Sequence, residues 1–295
     1  MSVFRPDLFK NCVAIVTGGG TGIGRAISYE LLSLGAKVVI ASRSIEKLEN
    51  AAGELGKIGD VTPIQCNIRK EDEVKALIGG TLKKYGKLDF LVNNGGGQFP
   101  SPAADMSLKG WNAVIETNLT GTYLMMREAY NQWFQDHGGA IVNIIADMWR
   151  GFPMMAHTGA ARAAVHNLTM TTSVEWAANG VRINSVAPGS CISSPTAAAN
   201  YSDSVDVFEA IRDKLPPHRT GTTDEVSGAV CFLLSPAASF ISGACLNIDC
   251  ASSLYTTMFS IPEHKNLPAY KWIPAQQKVV TTKKDKTSTD EKSKL

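Results

Sequence analysis

Apolar residues in this chain fall into short unbroken runs, separated by longer stretches in which apolar positions recur every three or four residues. The runs 13–17, 37–41, 62–66, 89–93, 140–145, 181–187 and 244–248 read as strands buried on both faces. The stretches between them, roughly 23–34, 44–56, 70–85, 107–136, 157–179 and 223–234, read as helices. Strands alternating with amphipathic helices imply βαβ crossovers and a parallel sheet covered on both sides. The predicted class is therefore α/β, a doubly wound parallel sheet of Rossmann type. One domain, residues 10–255, contains the whole pattern, and residues 256–295 form a C-terminal extension. The end of that extension, Thr281 to Lys292, is too poor in apolar residues to pack and is expected to be disordered.

Composition narrows the class without changing it. A length of 295 residues suits one large domain with an appended tail, and a net charge of +2 gives no basic footprint for nucleic acid. The six cysteines, Cys12, Cys66, Cys191, Cys231, Cys245 and Cys250, are scattered, with no CxxC pair and no histidine at ligand spacing. Neither a disulfide framework nor a metal site is expected. The late apolar stretch Ala229 to Ile248 is broken by Ser235-Pro236 and Ser242-Gly243, so no membrane span is expected.

The first candidate chemistry is Thr17-Gly-Gly-Gly-Thr-Gly-Ile-Gly24, placed between the first strand and the first helix. Gly18, Gly22 and Gly24 let a backbone approach phosphates closely, while the free N–H groups of the helix start, with Thr21 and Ile23, offset the negative charge. This is what a dinucleotide pyrophosphate requires. In NAD-binding folds an acidic residue closes the next strand and binds the ribose 2′-OH. Here that strand ends in Ser42-Arg43, which offers a cation and a hydroxyl to a 2′-phosphate. The expected cofactor is NADPH, preferred over NADH by roughly tenfold to a hundredfold. The chain closes on Ser293-Lys294-Leu295, a sequence that an import receptor reads as a peroxisomal address, so peroxisomal localisation is expected.

Four motifs in order carry a family resemblance: Thr17–Gly24, Asn93-Asn-Gly-Gly-Gly97, Asn118 in Glu-Thr-Asn-Leu-Thr-Gly-Thr, and Arg182-Ile-Asn-Ser-Val-Ala-Pro-Gly189. Together they resemble the short-chain dehydrogenase/reductase superfamily across nearly all of residues 10–255. More narrowly, Asn94-Gly-Gly-Gly-Gln-Phe99, His157-Thr-Gly-Ala-Ala-Arg162 and Cys231–Phe240 resemble its peroxisomal trans-2-enoyl-CoA reductases. The resemblance implies hydride transfer from NADPH to the β-carbon of a trans-2-enoyl-CoA and protonation at the α-carbon. It also implies a homotetramer built on the two long helices, a cofactor contact by Asn67 and Ile68 beside adenine, and a close approach of Asn94, Gly95 and Gly96 to the adenosine ribose. Pro188 and Gly189 would turn the backbone toward the nicotinamide. Asn118 would hold a water or fix the helix geometry.

The catalytic positions depart from the family pattern. The superfamily's Tyr-x-x-x-Lys falls here on Thr158 and Arg162, and its serine on Ile145 or Ala146. Arg162 can still hold ribose hydroxyls. The enoyl reductases place their tyrosine and lysine a turn later, at His166 and Met170. His166 is then a candidate proton donor, and His157 at the helix mouth a second one. Two alternatives stand beside the 2-enoyl reading. A 2,4-dienoyl-CoA reductase would place a tyrosine and a lysine at Met148 and Arg162. A catalytically silent NADP(H)-binding homologue would need no acid at all. Lys214, His218 and Arg219, at the end of a lid-like segment 190–220, are candidates for CoA phosphates.

Overall fold

The computed structural model describes residues 2–189, 192, 211–255 and 262–272. Its strands are β1 (Val13–Thr17), β2 (Lys37–Ser42), β3 (Val61–Gln65), β4 (Phe90–Asn93), β5 (Gly139–Ile144), β6 (Val181–Pro188) and β7 (Cys245–Ile248). The helices are α1 (Gly22–Ser33), α2 (Ile45–Leu55), α3 (Glu71–Tyr85), α4 (Leu108–Ile115), α5 (Gly121–Ala129), α6 (Gln135–His137), α7 (Ala156–Glu175) and α8 (Thr223–Leu234). All strands pair parallel in one sheet, in the order β3-β2-β1-β4-β5-β6-β7. Strand pleat then sorts the core in two. Ala14, Val16, Val38 and Ile40 face Ile27, Leu31, Leu48 and Val230 of α1, α2 and α8. Ile15 and Val39 face Val74, Leu77 and Met125 of α3 and α5. Burial on both faces is why each strand reads as a continuous apolar run rather than an alternating one.

The predicted helix 107–136 differs in one respect. Two π-helical turns, Glu116–Thr120 and Tyr130–Phe134, interrupt it and separate α4, α5 and α6. Asn118 lies within the first of these turns.

Both ends of the described chain meet on one buried carboxyl group. Glu30 of α1 accepts hydrogen bonds from Ser2 Oγ at 2.7 Å and from Ser227 Oγ of α8 at 2.5 Å. Ser227 in turn accepts from Trp272 Nε1 at 3.2 Å, and the Trp272 ring lies 4.7 Å from Tyr29. Burial pushes the Glu30 carboxyl above the usual range. The described part of the extension thus packs on α1 and α8. Its predicted disordered end and the Ser293-Lys294-Leu295 signal lie outside the described residues, as does most of the lid-like segment. Among the described residues no helix is long and apolar enough to cross a membrane, and no cluster of metal-ligating side chains occurs.

Candidate functional site

Strand order reverses between β1 and β4, where adjacent strands send their chains to opposite faces. A crevice opens there, at the carboxyl ends, and this is where doubly wound sheets take ligands. The two loops flanking it are tied together. Thr17 Oγ1 accepts from the N–H groups of Asn94 and Gly95, at 3.0 and 2.8 Å. The Asn94 side-chain amide donates to Thr17 O at 2.9 Å. Gly18 takes a left-handed φ of +66°. A Cβ on Gly24 would overlap the carbonyl oxygen of Gly18 and the Asn94 amide. Thr21 caps α1 by backbone position only, with no side-chain hydrogen bond to the helix start. The first N–H groups of α1 therefore remain available to an anion, and the turn fits a pyrophosphate.

Beyond β2, Ser42 is half-buried and Arg43 exposed, and Arg43 has no acidic partner among the described residues. After β3, Asn67 Oδ1 accepts from the backbone N–H of Arg69 at 3.3 Å, and its own N–H donates to Glu73, so Asn67 shapes the entry to α3. Ile68 wedges between Gly95 and Gly121; a Cβ on Gly121 would meet it at 2.7 Å. Pro188 and Gly189 close β6, where Pro188 O accepts from Asp147 N–H at 3.1 Å and Gly189 N–H donates to Ile248 O at 3.0 Å.

On the far side of the crevice, α7 and the first π-turn bring three predicted or displaced catalytic positions together. Asn118 is wholly buried. Its Oδ1 accepts from Gly97 N–H at 2.9 Å, and its Nδ2 donates to Gly97 O and to Thr158 Oγ1, both at 3.0 Å. Thr158 thus has its oxygen occupied, while its hydroxyl proton has no acceptor among the described residues. Arg162, one turn further along α7, donates to Ile144 O at 2.6 Å. It forms no ion pair among the described residues, and burial lowers its pKa to about 10. Gly96 exists to let this side chain pass, since a Cβ there would overlap Arg162 Nη2. Sequence reasoning missed both Thr158, read only as a lost tyrosine, and this reason for Gly96.

The two histidines behave differently. His157 is wholly buried, accepts from Thr158 N–H on Nδ1 at 2.8 Å, and has an unpartnered, buried Nε2. His166 sits edge-on to Trp149 at 5.3 Å and has a buried, unpartnered Nδ1. No hydrogen bond joins His166 to the Asn118–Thr158–Arg162 group, and Met170 is exposed. Arg219 pairs with Glu225 through two hydrogen bonds, at 2.7 and 3.0 Å, which holds it to the start of α8. Asp147, which the sequence reading passed over, is half-buried just beyond β5. Its carboxyl is raised by burial and then by Asp249.

The family model described as Enoyl-(Acyl carrier protein) reductase matches residues 18–251. Among curated proteins, a peroxisomal 2,4-dienoyl-CoA reductase of Danio rerio is 37% identical over 253 residues, covering 84% of this chain and 83% of that one. A probable 2,4-dienoyl-CoA reductase of Bacillus subtilis is 35% identical over 239 residues, covering 80% and 94%. Among solved structures, a citronellol catabolism dehydrogenase of Pseudomonas aeruginosa PAO1 is 46% identical with a TM-score of 0.77, covering 85% of this chain and 99% of that one. The chain belongs to the short-chain dehydrogenase/reductase family, as an oxidoreductase on a fold that binds a nicotinamide cofactor.

Proposed function

We propose that this short-chain dehydrogenase/reductase uses NADPH to reduce the conjugated double bond of a fatty acyl-CoA, with trans-2-enoyl-CoA as substrate and saturated acyl-CoA as product. The observation that carries the reading is the Asn118–Thr158–Arg162 group, which keeps a hydroxyl donor and a cation but no phenol. Carbonyl reduction needs an acid to protonate an alkoxide. Reduction of a conjugated thioester instead places charge on the thioester oxygen, where a hydrogen-bond donor is enough. When bound, the nicotinamide supplies the hydride. Arg43 and Ser42 bind the 2′-phosphate, and Gly18, Thr21, Gly22, Ile23 and Gly24 receive the pyrophosphate. Asn67, Ile68, Asn94, Gly95 and Gly96 line the adenosine side, with Pro188 and Gly189 on the nicotinamide side. Arg162 holds the nicotinamide ribose. Asn118 orients Thr158, whose hydroxyl donates to the thioester oxygen, and His157 and His166 remain the candidate proton sources.

A second reading, 2,4-dienoyl-CoA reduction, is favoured by the names of the curated relatives and has equal support. The likeness to a citronellol catabolism dehydrogenase makes a methyl-branched 2-enoyl chain a variant to include. Peroxisomal placement is supported by the peroxisomal Danio rerio relative. A homotetramer is supported by exposed Leu108, Tyr123, Met170 and Val174 on the long helices; a monomeric mass by light scattering would refute it.

The test follows NADPH absorbance on addition of trans-2-decenoyl-CoA, 2,4-decadienoyl-CoA, the methyl-branched 3,7-dimethyl-2-octenoyl-CoA or 3-oxodecanoyl-CoA. Oxidation with the monoenoyl ester is expected. Oxidation with the dienoyl ester alone selects the second reading, and no oxidation despite tight NADPH binding selects a silent homologue. Turnover of the 3-oxo ester alone would overturn both reductase readings.

A further inference from the structure

Between the starts of α4 and α7 lies an open cleft of about 380 Å³, lined by Ala103, Met106, Leu108, Trp111 and Ala156. Its size is that of a small-molecule pocket. Among the described residues no charged side chain lines it, so it suits hydrocarbon rather than a headgroup.

Phe99 stands between this cleft and the buried His157. Its ring rests on α4 at Gly110, where a Cβ would meet Phe99 Cζ at 2.8 Å. Gly110 lies between two cleft residues, Leu108 and Trp111. The other side of the ring meets His157 at 4.6 Å, edge to face, and His157 directly follows the cleft residue Ala156. The Phe99 loop is tied to the loop before α7 by Ser101 N–H donating to Met154 O at 2.8 Å. Yet the ring itself is 39% exposed, so it has space to swing outward.

Behind Phe99 is a donor without an acceptor. Because His157 Nδ1 accepts from Thr158 N–H, the neutral ring carries its proton on Nε2. That Nε2–H is buried and has no partner. An unpaired buried donor favours whatever ligand brings it an oxygen.

The geometry points to a single pose: the acyl chain lies in the Ala103–Trp111–Ala156 cleft, Phe99 moves aside, and the thioester carbonyl oxygen accepts from His157 Nε2–H. This pose rests on the acyl-CoA reading above and adds to it the residue that senses the carbonyl and the wall that sets chain length. Thr158 and His157 then form a two-donor site for the oxygen, with Phe99 deciding when the second donor is uncovered.

Calorimetric titration of the full chain with saturated acyl-CoAs and with matching S-alkyl-CoAs, which lack the carbonyl, tests the pose without turnover. Affinity should rise about fourfold per methylene from butyryl to octanoyl and then level off. Ala156→Leu should flatten the rise from octanoyl upward while leaving butyryl unchanged. Phe99→Ala should carry the rise on to dodecanoyl. Acyl-CoA should bind about tenfold tighter than S-alkyl-CoA, a preference that falls by about threefold in His157→Leu, where Thr158 alone still donates, but persists in full in Phe99→Ala. Equal affinity of the unaltered protein for the two series overturns the pose, as does an Ala156→Leu effect of one size at all lengths. If the pose stands but no unsaturated thioester is reduced, the reductase reading falls alone. If reduction proceeds and His157→Leu keeps the full carbonyl preference, the pose falls alone.

Discussion

The two banks of the crevice are built on opposite principles. On the β1 side the side chains that shape the Gly-rich turn are paired within the protein, leaving backbone N–H groups to face a ligand: the Thr17 hydroxyl, the Asn94 amide and the Ser28 hydroxyl all hold the turn in shape. On the α7 side, among the described residues, a buried guanidinium has one carbonyl for company, a hydroxyl proton has no acceptor, and an imidazole N–H is orphaned. The first bank is complete without ligand, because a backbone cradle recognises a constant shape. The second is incomplete, and its open groups define what must arrive. Such incompleteness lowers the stability of the unliganded fold, which is the usual cost of a reactive site.

The largest expected effect tests the complete bank. Gly24→Ala places a methyl group on the carbonyl oxygen of Gly18 and must open the turn. We expect cofactor affinity to fall more than a hundredfold and stability to drop by about 2–4 kcal/mol, read by fluorescence titration and urea unfolding. The incomplete bank should respond with the opposite sign. With its pKa lowered to about 10 by burial, the charged Arg162 costs stability at every pH below that value. Arg162→Leu should therefore stabilise the unliganded protein by about 1–3 kcal/mol while abolishing most of the thermal shift that NADPH induces. Loss of unliganded stability in this variant would remove the contrast between the banks. A smaller change is expected from Arg43→Ala, which should shrink the preference for NADPH over NADH by roughly tenfold to a hundredfold in steady-state kcat/KM ratios.

The smallest effect lies outside both banks. Glu30 has a folded-state pKa raised by burial, so its stabilising contribution is full below the ordinary carboxylate range and is lost as pH rises through the raised value. Glu30→Gln should thus melt higher than the parent at pH 8, by about 1 kcal/mol, and lose that advantage on acidification to pH 4. The crevice should be indifferent to it, with unchanged NADPH affinity.

The fold was legible because buried parallel strands write themselves as apolar runs, and all seven lie within a residue or two of their expected bounds. The Gly-rich turn was legible for a related reason: only glycine permits the approach seen at Gly24, so composition and geometry coincide. Asn118 was legible as an anomaly within a helix, but the π-turn around it was not, since one extra residue scarcely disturbs an apolar stripe. Thr158 was seen only as a missing tyrosine, because a hydroxyl's spare proton depends on who occupies its oxygen. His157 was named for its place at the helix mouth. Its fixed tautomer and its unpartnered nitrogen are facts of burial, which no spacing rule records.

The π-turn at Glu116–Thr120 also bears on how the chain tolerates insertion and deletion. A π-turn is an α-helix holding one residue beyond its regular count. Removing a residue between 116 and 120 would therefore mend the helix, leaving α4 and α5 in phase and drawing Asn118 out of the widened turn. The shortened protein should fold with a more regular helix, while Asn118 would no longer reach Gly97 and Thr158. In this stretch, a deletion that improves the backbone would erase the site, and the irregular helix is kept by what it holds rather than by how well it is wound.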